Sequence, residues 1–229
     1  MKCNNRRTFN RGLGVTIALG ALALPGSTTF AGSRKAQVVV VGGGFGGATA
    51  AKYIKRFDSS ISVTLIEPSS NFVTCPFSNT VIVGLNTIDY ITHNYSALKK
   101  MGVEVVHDMA VHINGSGKQV KLASGSTISF DRCIVSPGID FRWEKIEGLD
   151  ADTSSTIPHA WKAGPQTLLL RKQLEAMPNG GTFVISPPVN PFRCPPGSGE
   201  RISLVANYFK KAKPKSKILI LDPKKKFSK

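Results

Sequence analysis

Residues 36–67, AQVVVVGGGFGGATAAKYIKRFDSSISVTLIE, decide the fold. The stretch opens on an unbroken β-branched run, VVVV at 38–41. Such a run suits a strand buried on both faces of a parallel sheet, because a half-exposed strand would alternate apolar and polar residues. Glycines follow, then ATAAKYIKRF with its apolar positions at helical spacing, then a second strand, ISVTLIE. Strand, glycine turn, helix and strand in that order make the βαβ unit of a Rossmann-type α/β fold.

Gly42, Gly44 and Gly47 give the pattern GxGxxG between the first strand and the helix, and Glu67 closes the second strand. That context is what a dinucleotide fingerprint requires. Gly42 makes the tight turn, Gly44 lets the backbone approach a pyrophosphate, and Gly47 permits close packing of helix on strand. The helix N-terminus offers amide donors and a positive dipole to the phosphates, while Glu67 accepts from ribose hydroxyls. A carboxylate at that place disfavours a 2′-phosphate and so argues against NADP.

Outward from this unit, residues 101–138 hold short alternating segments broken by NGSGK and SGS, the signature of antiparallel hairpins. They lead into STISFDRCIVSPG, an apolar strand ending in Ser136, Pro137 and Gly138. This segment resembles the second FAD fingerprint of two-dinucleotide-domain flavoproteins, usually written ATG, and it favours FAD over NAD. After a Gly/Asp/Ser-rich connection comes a helix, PQTLLLRKQLEAM, stopped by Pro178. A second βαβ follows: GTFVISPP, then ERISLVANYFKKAK, then SKILILD. Between its first strand and its helix stands PPVNPFRCPPGSGE, with prolines at 187, 188, 191, 195 and 196 where a nicotinamide site would need glycines. Proline has no N–H for a phosphate cradle. Cys194 sits where reducing equivalents would otherwise enter, so the electron donor is expected to be something a cysteine reacts with. We read residues 34–148 as the first part of an FAD-binding domain and 149–229 as the start of a second, NADH-domain-like unit. A lone βαβ is a fragment of a domain, so the chain is expected to be truncated.

Composition is that of a globular protein, with 229 residues and a formal net charge of +16. Residues 1–31 read as a twin-arginine export signal: Arg6 and Arg7, an apolar run at 13–24, Pro25, and small residues before a cut after Ala31. An ordinary secretory signal is the alternative. The run falls short of the about 20 residues that span a bilayer, so no membrane span is expected in the mature chain and a periplasmic location follows. The lysine-rich end, KKAKPKSKILILDPKKKFSK, lacks the aromatic interleaving of a nucleic-acid surface. It reads as a solvated helix end and loop, or as a contact for an acidic protein partner. Cys3 leaves with the signal, Cys133 lies inside an apolar strand as a core thiol, and no CxxC pair occurs. His93, His107, His112 and His159 are scattered without ligand spacing, so no metal site is expected.

Cys75, in FVTCPFSN, and Cys194, in PFRCPPG, remain. At these residues the chain resembles the flavoprotein subunit of flavocytochrome c sulfide dehydrogenase, a relative of sulfide:quinone oxidoreductases among the glutathione-reductase-like flavoproteins. VVVVGGGFGGATAAKYIK, VTLIEP, TCPFSN, DRCIVSPGI, PHAWKAGPQT, LRKQLE and PFRCPPG match in order and spacing, over residues 36–229. The resemblance implies a two-dinucleotide-domain α/β fold and FAD joined covalently through the sulfur of Cys75. It implies that Cys194 is one member of a redox disulfide whose partner lies beyond residue 229, that Glu200 handles protons, and that Trp161 packs near the flavin. Hydrosulfide attacks a disulfide sulfur as a soft nucleophile, and electrons would pass to a c-type haem. No CxxCH occurs, so that haem belongs to a cytochrome c subunit. Arg193 is a cation that could favour a Cys194 thiolate, and Glu200 could instead be a first-turn helix acid. A sulfide:quinone oxidoreductase-like enzyme and a non-catalytic flavin- or partner-binding remnant are the alternative functions.

Overall fold

A computed structural model of the chain describes residues 35–224. The expected export signal and Cys3 lie outside the described residues. In chain order the elements are β1 (Gln37–Val41), α1 (Phe45–Phe57), β2 (Ser62–Ile66), β3 (Asn71–Val73), α2 (Ser78–Ile82), β4 (Thr92–Asn94), α3 (Ser96–Lys100) and β5 (Val103–Val106). Then come β6 (Ala110–Asn114), β7 (Gln119–Leu122), β8 (Thr127–Ser129), β9 (Arg132–Val135), α4 (Pro165–Ala176), β10 (Thr182–Ile185), α5 (Pro196–Ala212) and β11 (Lys217–Ile220).

The continuous valine run behaves as its composition dictates. β1 is the interior of a parallel sheet ordered β5-β2-β1-β9, with Val39 opposite Thr64 on one side and Cys133 on the other. Successive side chains of a strand point to opposite faces. Val38 and Val40 therefore enter a core with Ala51 of α1, Val63, Leu65, Tyr95, Leu98 and Val103. Val39 enters a second core with Ile66, Val120, Leu122 and Phe130, supplied by the β6-β7-β8 meander. Both faces are covered, which is why the buried part of β1, Val38 to Val40, carries no polar residue; each fully buried valine contributes about 1.5–3 kcal/mol. α1 has no acidic residue in its first turn and carries Lys55 and Arg56 in its last, where their charges suit the negative end of its dipole.

The two hairpins expected around NGSGK and SGS form between β6 and β7 and between β7 and β8. Upstream of them, Val103–Val106 departs from the hairpin pattern: β5 pairs parallel with β2 and is the sheet's edge. Cys133, in β9, is half-buried and packs against the Val39 core, and burial pushes its thiol pKa up.

The second βαβ forms as read. β10 and β11 run parallel, Phe183 opposite Ile218, and α5 begins at Pro196. Its core joins Leu170 and Leu174 of α4, Phe183, and Val205 and Phe209 of α5 with Ile82 and Val83 at the end of α2. A short helix in the first part of the chain thus packs into the core of the second, which carries Cys75, three residues before α2, towards α5. Lys213, from the lysine-rich stretch, is buried rather than solvated: its ammonium donates to the carbonyls of Glu175 and Met177 and closes the C-terminus of α4.

Candidate functional site: a glycine turn and a thiol cluster

The glycine turn is built by close approaches. Gly42 has φ +95°, and a Cβ there would lie 2.0 Å from the carbonyl oxygen of Ser136. The Ser136 amide donates to the Val41 carbonyl, so the end of the second fingerprint lies directly against the first. A Cβ on Gly47 would lie 1.8 Å from the Gly42 carbonyl oxygen, which accounts for glycine at the helix–strand contact. Gly44 differs. A Cβ there meets only the Phe72 ring at 3.6 Å, an ordinary contact, so no protein neighbour demands glycine at that position. It is the N-cap of α1, and no side chain caps it. The amides of α1's first turn are accordingly left facing outward past a residue with no side chain.

Glu67 stands at the carboxyl end of β2, where its Oε2 accepts from the Gly43 amide at 2.8 Å and its Oε1 from the Ser69 amide at 3.0 Å. These bonds fix the carboxylate across the turn, and each oxygen keeps a lone pair for a further donor. Tyr95, buried beneath, donates its hydroxyl to the Gly43 carbonyl at 3.2 Å; burial first, and Glu67 second, push its pKa up to about 12. Gly43 is itself a constrained position, since a Cβ would lie 2.5 Å from the Tyr95 hydroxyl. Neither Gly43 nor Tyr95 stood out in the sequence, although GGG in place of GxG was the available signal.

The second group is a cluster of thiols around Trp161. Cys75 is exposed and donates its S–H to the Trp161 carbonyl at 3.2 Å. Cys194, in a left-handed conformation (φ +57°) just before α5, is exposed as expected for a loop thiol. A Cβ on Gly197 would lie 3.1 Å from Cys194 Sγ and 3.0 Å from the Trp161 ring, so glycine there leaves room for thiol and indole side by side. The Cys75 pKa is raised, chiefly by burial and then by the proximity of Cys194, while Arg201 opposes the rise. Cys75, Trp161, Cys194 and Glu200 therefore meet in space, although only the last two are near in sequence.

Glu200 is not a first-turn acid, for the first turn of α5 contains none; its Oε1 accepts from Asn79 Nδ2 of α2 at 2.9 Å. Arg193 is exposed and makes no hydrogen bond or ion pair among the described residues. The cation of this cluster is Arg201, one residue beyond Glu200. His159 is half-buried against Phe141 and Trp143, and burial, with Lys162 and Arg201, lowers its pKa. Beside the carboxyl ends of β10 and β11 lies a cleft of about 310 Å³ lined by Pro187, Pro195, Pro196 and Glu200. Three of these side chains come from residues without an N–H to offer a phosphate.

Residues 36–162 match the family model of the pyridine nucleotide-disulphide oxidoreductases, and 167–229 match that of the central part of the sulfide dehydrogenase (flavocytochrome c) flavoprotein chain. The chain belongs to the pyridine nucleotide-disulphide oxidoreductase family, in its flavocytochrome c sulfide dehydrogenase flavoprotein branch. Over 45 residues, 20% of this chain, it is 71% identical to 94% of a sulfide dehydrogenase (flavocytochrome c) flavoprotein chain from Chlorobaculum thiosulfatiphilum. It is 26% identical to the mitochondrial sulfide:quinone oxidoreductase of Mus musculus, over 80% of this chain and 41% of that one. Among solved structures, the sulfide:quinone oxidoreductase of Aquifex aeolicus superposes with a TM-score of 0.66 at 22% identity, over 82% of this chain and 43% of that one. A NAD-dependent persulfide reductase from A. fulgidus superposes with a TM-score of 0.58 at 18% identity, over 81% of this chain and 33% of that one. The chain thus spans about two fifths of the sulfide:quinone oxidoreductases it matches, and the structural likeness establishes the glutathione-reductase-like α/β fold. FAD is the cofactor of this family. The glycine turn fits it: Gly44 leaves open the approach to the uncapped helix end, and Glu67 presents fixed acceptors at the strand end.

Proposed function

We propose that the chain is part of an exported, periplasmic FAD-dependent sulfide dehydrogenase flavoprotein, in which Cys75 tethers the flavin and Cys194 receives sulfide. The observation that carries this reading is the convergence of Cys75 and Cys194 on Trp161. A nucleotide site alone would be common to the whole family, whereas two exposed thiols at one indole suit a sulfur substrate. The flavin, when bound, takes up a pair of electrons and releases them to a one-electron acceptor.

The protein's own groups divide the remaining work. Gly42, Gly44 and Gly47 admit the pyrophosphate to the amides of α1, and Glu67 takes the ribose hydroxyls. Cys75 holds the cofactor by a thioether, which prevents its loss outside the cytoplasm. Cys194 forms a disulfide with a second cysteine outside residues 1–229. Hydrosulfide attacks the Cys194 sulfur, the S–S bond breaks, a persulfide remains on Cys194, and the other cysteine departs as a thiolate. Glu200, held by Asn79, takes and returns the proton that this exchange moves. Trp161 bounds the space between the thiols, its carbonyl at Cys75 and its ring beside Cys194. The haem that would accept the electrons belongs to a cytochrome c subunit.

Reduction of cytochrome c by sulfide, catalysed by the full-length protein with its cytochrome partner, tests the reading. Absence of that activity, with sulfide-dependent reduction of a quinone in its place, would establish the sulfide:quinone oxidoreductase alternative, which the likeness to the Mus musculus enzyme favours.

A further inference from the structure

Arg201 is an unusual residue to find where it is. It lies on α5, is 5% exposed, and forms no ion pair with any carboxylate among the described residues. Burying an unpaired cation is costly unless its donors are satisfied, and here three of its five N–H groups are engaged. Nε donates to Asn79 Oδ1 at 3.0 Å, Nη1 to the His159 carbonyl at 2.9 Å and Nη2 to the Ala160 carbonyl at 2.6 Å. The guanidinium also lies over the Trp161 ring, 4.5 Å from its centroid. One side chain therefore ties α5, which supplies Glu200, to the loop at 159–161, which supplies Trp161, and to α2, which Cys75 precedes by three residues.

Structural need alone does not account for a charge. The three acceptors require N–H donors and not a positive charge as such, and neutral donors would carry a lower desolvation cost. What a cation adds is a fixed positive field on the Cys75 side of the junction. Burial lowers the Arg201 pKa to about 10, with Cys75 and Glu200 as opposing causes, so it is charged at neutral pH. The other groups facing the thiol are Cys194 and Glu200, both of which disfavour a Cys75 thiolate. His159, whose carbonyl Arg201 also holds, has its pKa lowered by burial and by Lys162 and Arg201. Arg201 is thus the only group among those acting on Cys75 that favours its ionised form through charge.

We infer that Arg201 is a positioning residue for Cys75: it holds the loop whose Trp161 carbonyl receives the thiol, and it is the counter-charge against which Cys75 ionises when the S–H proton leaves to solvent. The value of this to the protein rests on the reading of Cys75 as the nucleophile that acquires the flavin, since a thioether forms from the thiolate and not the thiol.

The experiment uses full-length protein from riboflavin-limited cells, so that Cys75 is free, and follows iodoacetamide alkylation of each cysteine peptide by mass spectrometry between pH 6 and 10. In Arg201→Gln the midpoint of Cys75 alkylation rises by about one pH unit, a roughly tenfold slower reaction at neutral pH, while that of Cys133 stays put. Arg201→Lys lowers the melting temperature through its lost hydrogen bonds but keeps the Cys75 midpoint close to the unmutated value. Asn79→Asp, which sets a carboxylate beside the guanidinium, raises the midpoint and serves if Arg201→Gln does not fold. A lowered melting temperature with an unmoved Cys75 midpoint in both Arg201→Gln and Asn79→Asp would overturn the inference. Flavin-loaded unmutated protein is digested in parallel: flavin absent from the Cys75 peptide sinks the tether reading, and the alkylation midpoints still decide the role of Arg201.

Discussion

The carbonyl oxygen of Ser136 occupies the space that a side chain on Gly42 would take, 2.0 Å from an ideal Cβ. Two segments far apart in the chain are fitted to each other there at backbone level, and this contact shapes the nucleotide turn. Gly42→Ala must displace the backbone of the second fingerprint and adopt a left-handed conformation that costs about 1–3 kcal/mol by itself. The expected outcome is a loss of at least about 2 kcal/mol in stability, read as a lower denaturation midpoint. Gly44→Ala is the counterpart. Its Cβ finds only Phe72 at an ordinary distance, so the midpoint should change by under about 1 kcal/mol while bound flavin absorbance falls. Equal effects of the two substitutions would show that Gly44 is there for the fold and not for a ligand.

Cys75→Ala separates attachment from binding. Acid precipitation of the unmutated full-length protein should leave yellow colour in the pellet, and the substitution should release it to the supernatant. Colour found free from the unmutated protein removes Cys75 from its proposed role.

Tyr95 gives a pH signature. Its pKa is raised in the folded protein, so between about pH 10 and 12 the unfolded chain has lost a proton that the folded one retains. Stability should therefore be undiminished below pH 10 and decline as pH rises through that window. Tyr95→Phe should flatten the decline and, by removing the donor to Gly43, cost about 1 kcal/mol at neutral pH. Urea denaturation at pH 7 and above pH 10 measures both, and an unchanged slope in Tyr95→Phe would exclude Tyr95 as its source.

Lys213→Met removes the ammonium that closes α4 but keeps most of the aliphatic stem. Two carbonyls lose their donor, and a drop of about 1–3 kcal/mol is expected. A melting temperature equal to that of the unmutated protein would mean that water serves those carbonyls as well.

The parts of the fold that could be read in the sequence are those where local pattern and tertiary demand coincide. β1 is valine from 38 to 41 because both of its faces are covered, and that burial is visible in four letters. Gly42 and Gly47 are glycines for steric reasons that any turn of this kind imposes. Legibility ended where contacts join distant segments. Val103–Val106 carries a strand pattern, but whether it folds back as a hairpin or adds to β2 depends on register across the sheet. Lys213 sits in a run of lysines and differs from its neighbours only in facing the end of another helix. Arg201, in ERISLVAN, reads as a solvated helical cation; its burial is set by Asn79 and the 159–161 loop, which no local pattern announces. Cys75 and Cys194 could be singled out one at a time, but their meeting at Trp161 required the fold.

β1 lies between β2 and β9, and the strand that completes its second edge ends at Val135, after six intervening strands and two helices. During synthesis the chain therefore carries a valine-rich strand with one open edge until that distant segment arrives. Long-range parallel pairing is slow because loop closure precedes any reward, and an open apolar edge invites pairing with other chains. The nucleotide turn, whose shape depends on Ser136, is consequently a late product of folding, and the yield of correctly folded chains should depend on dilution and on how soon the Ser136 segment reaches Gly42.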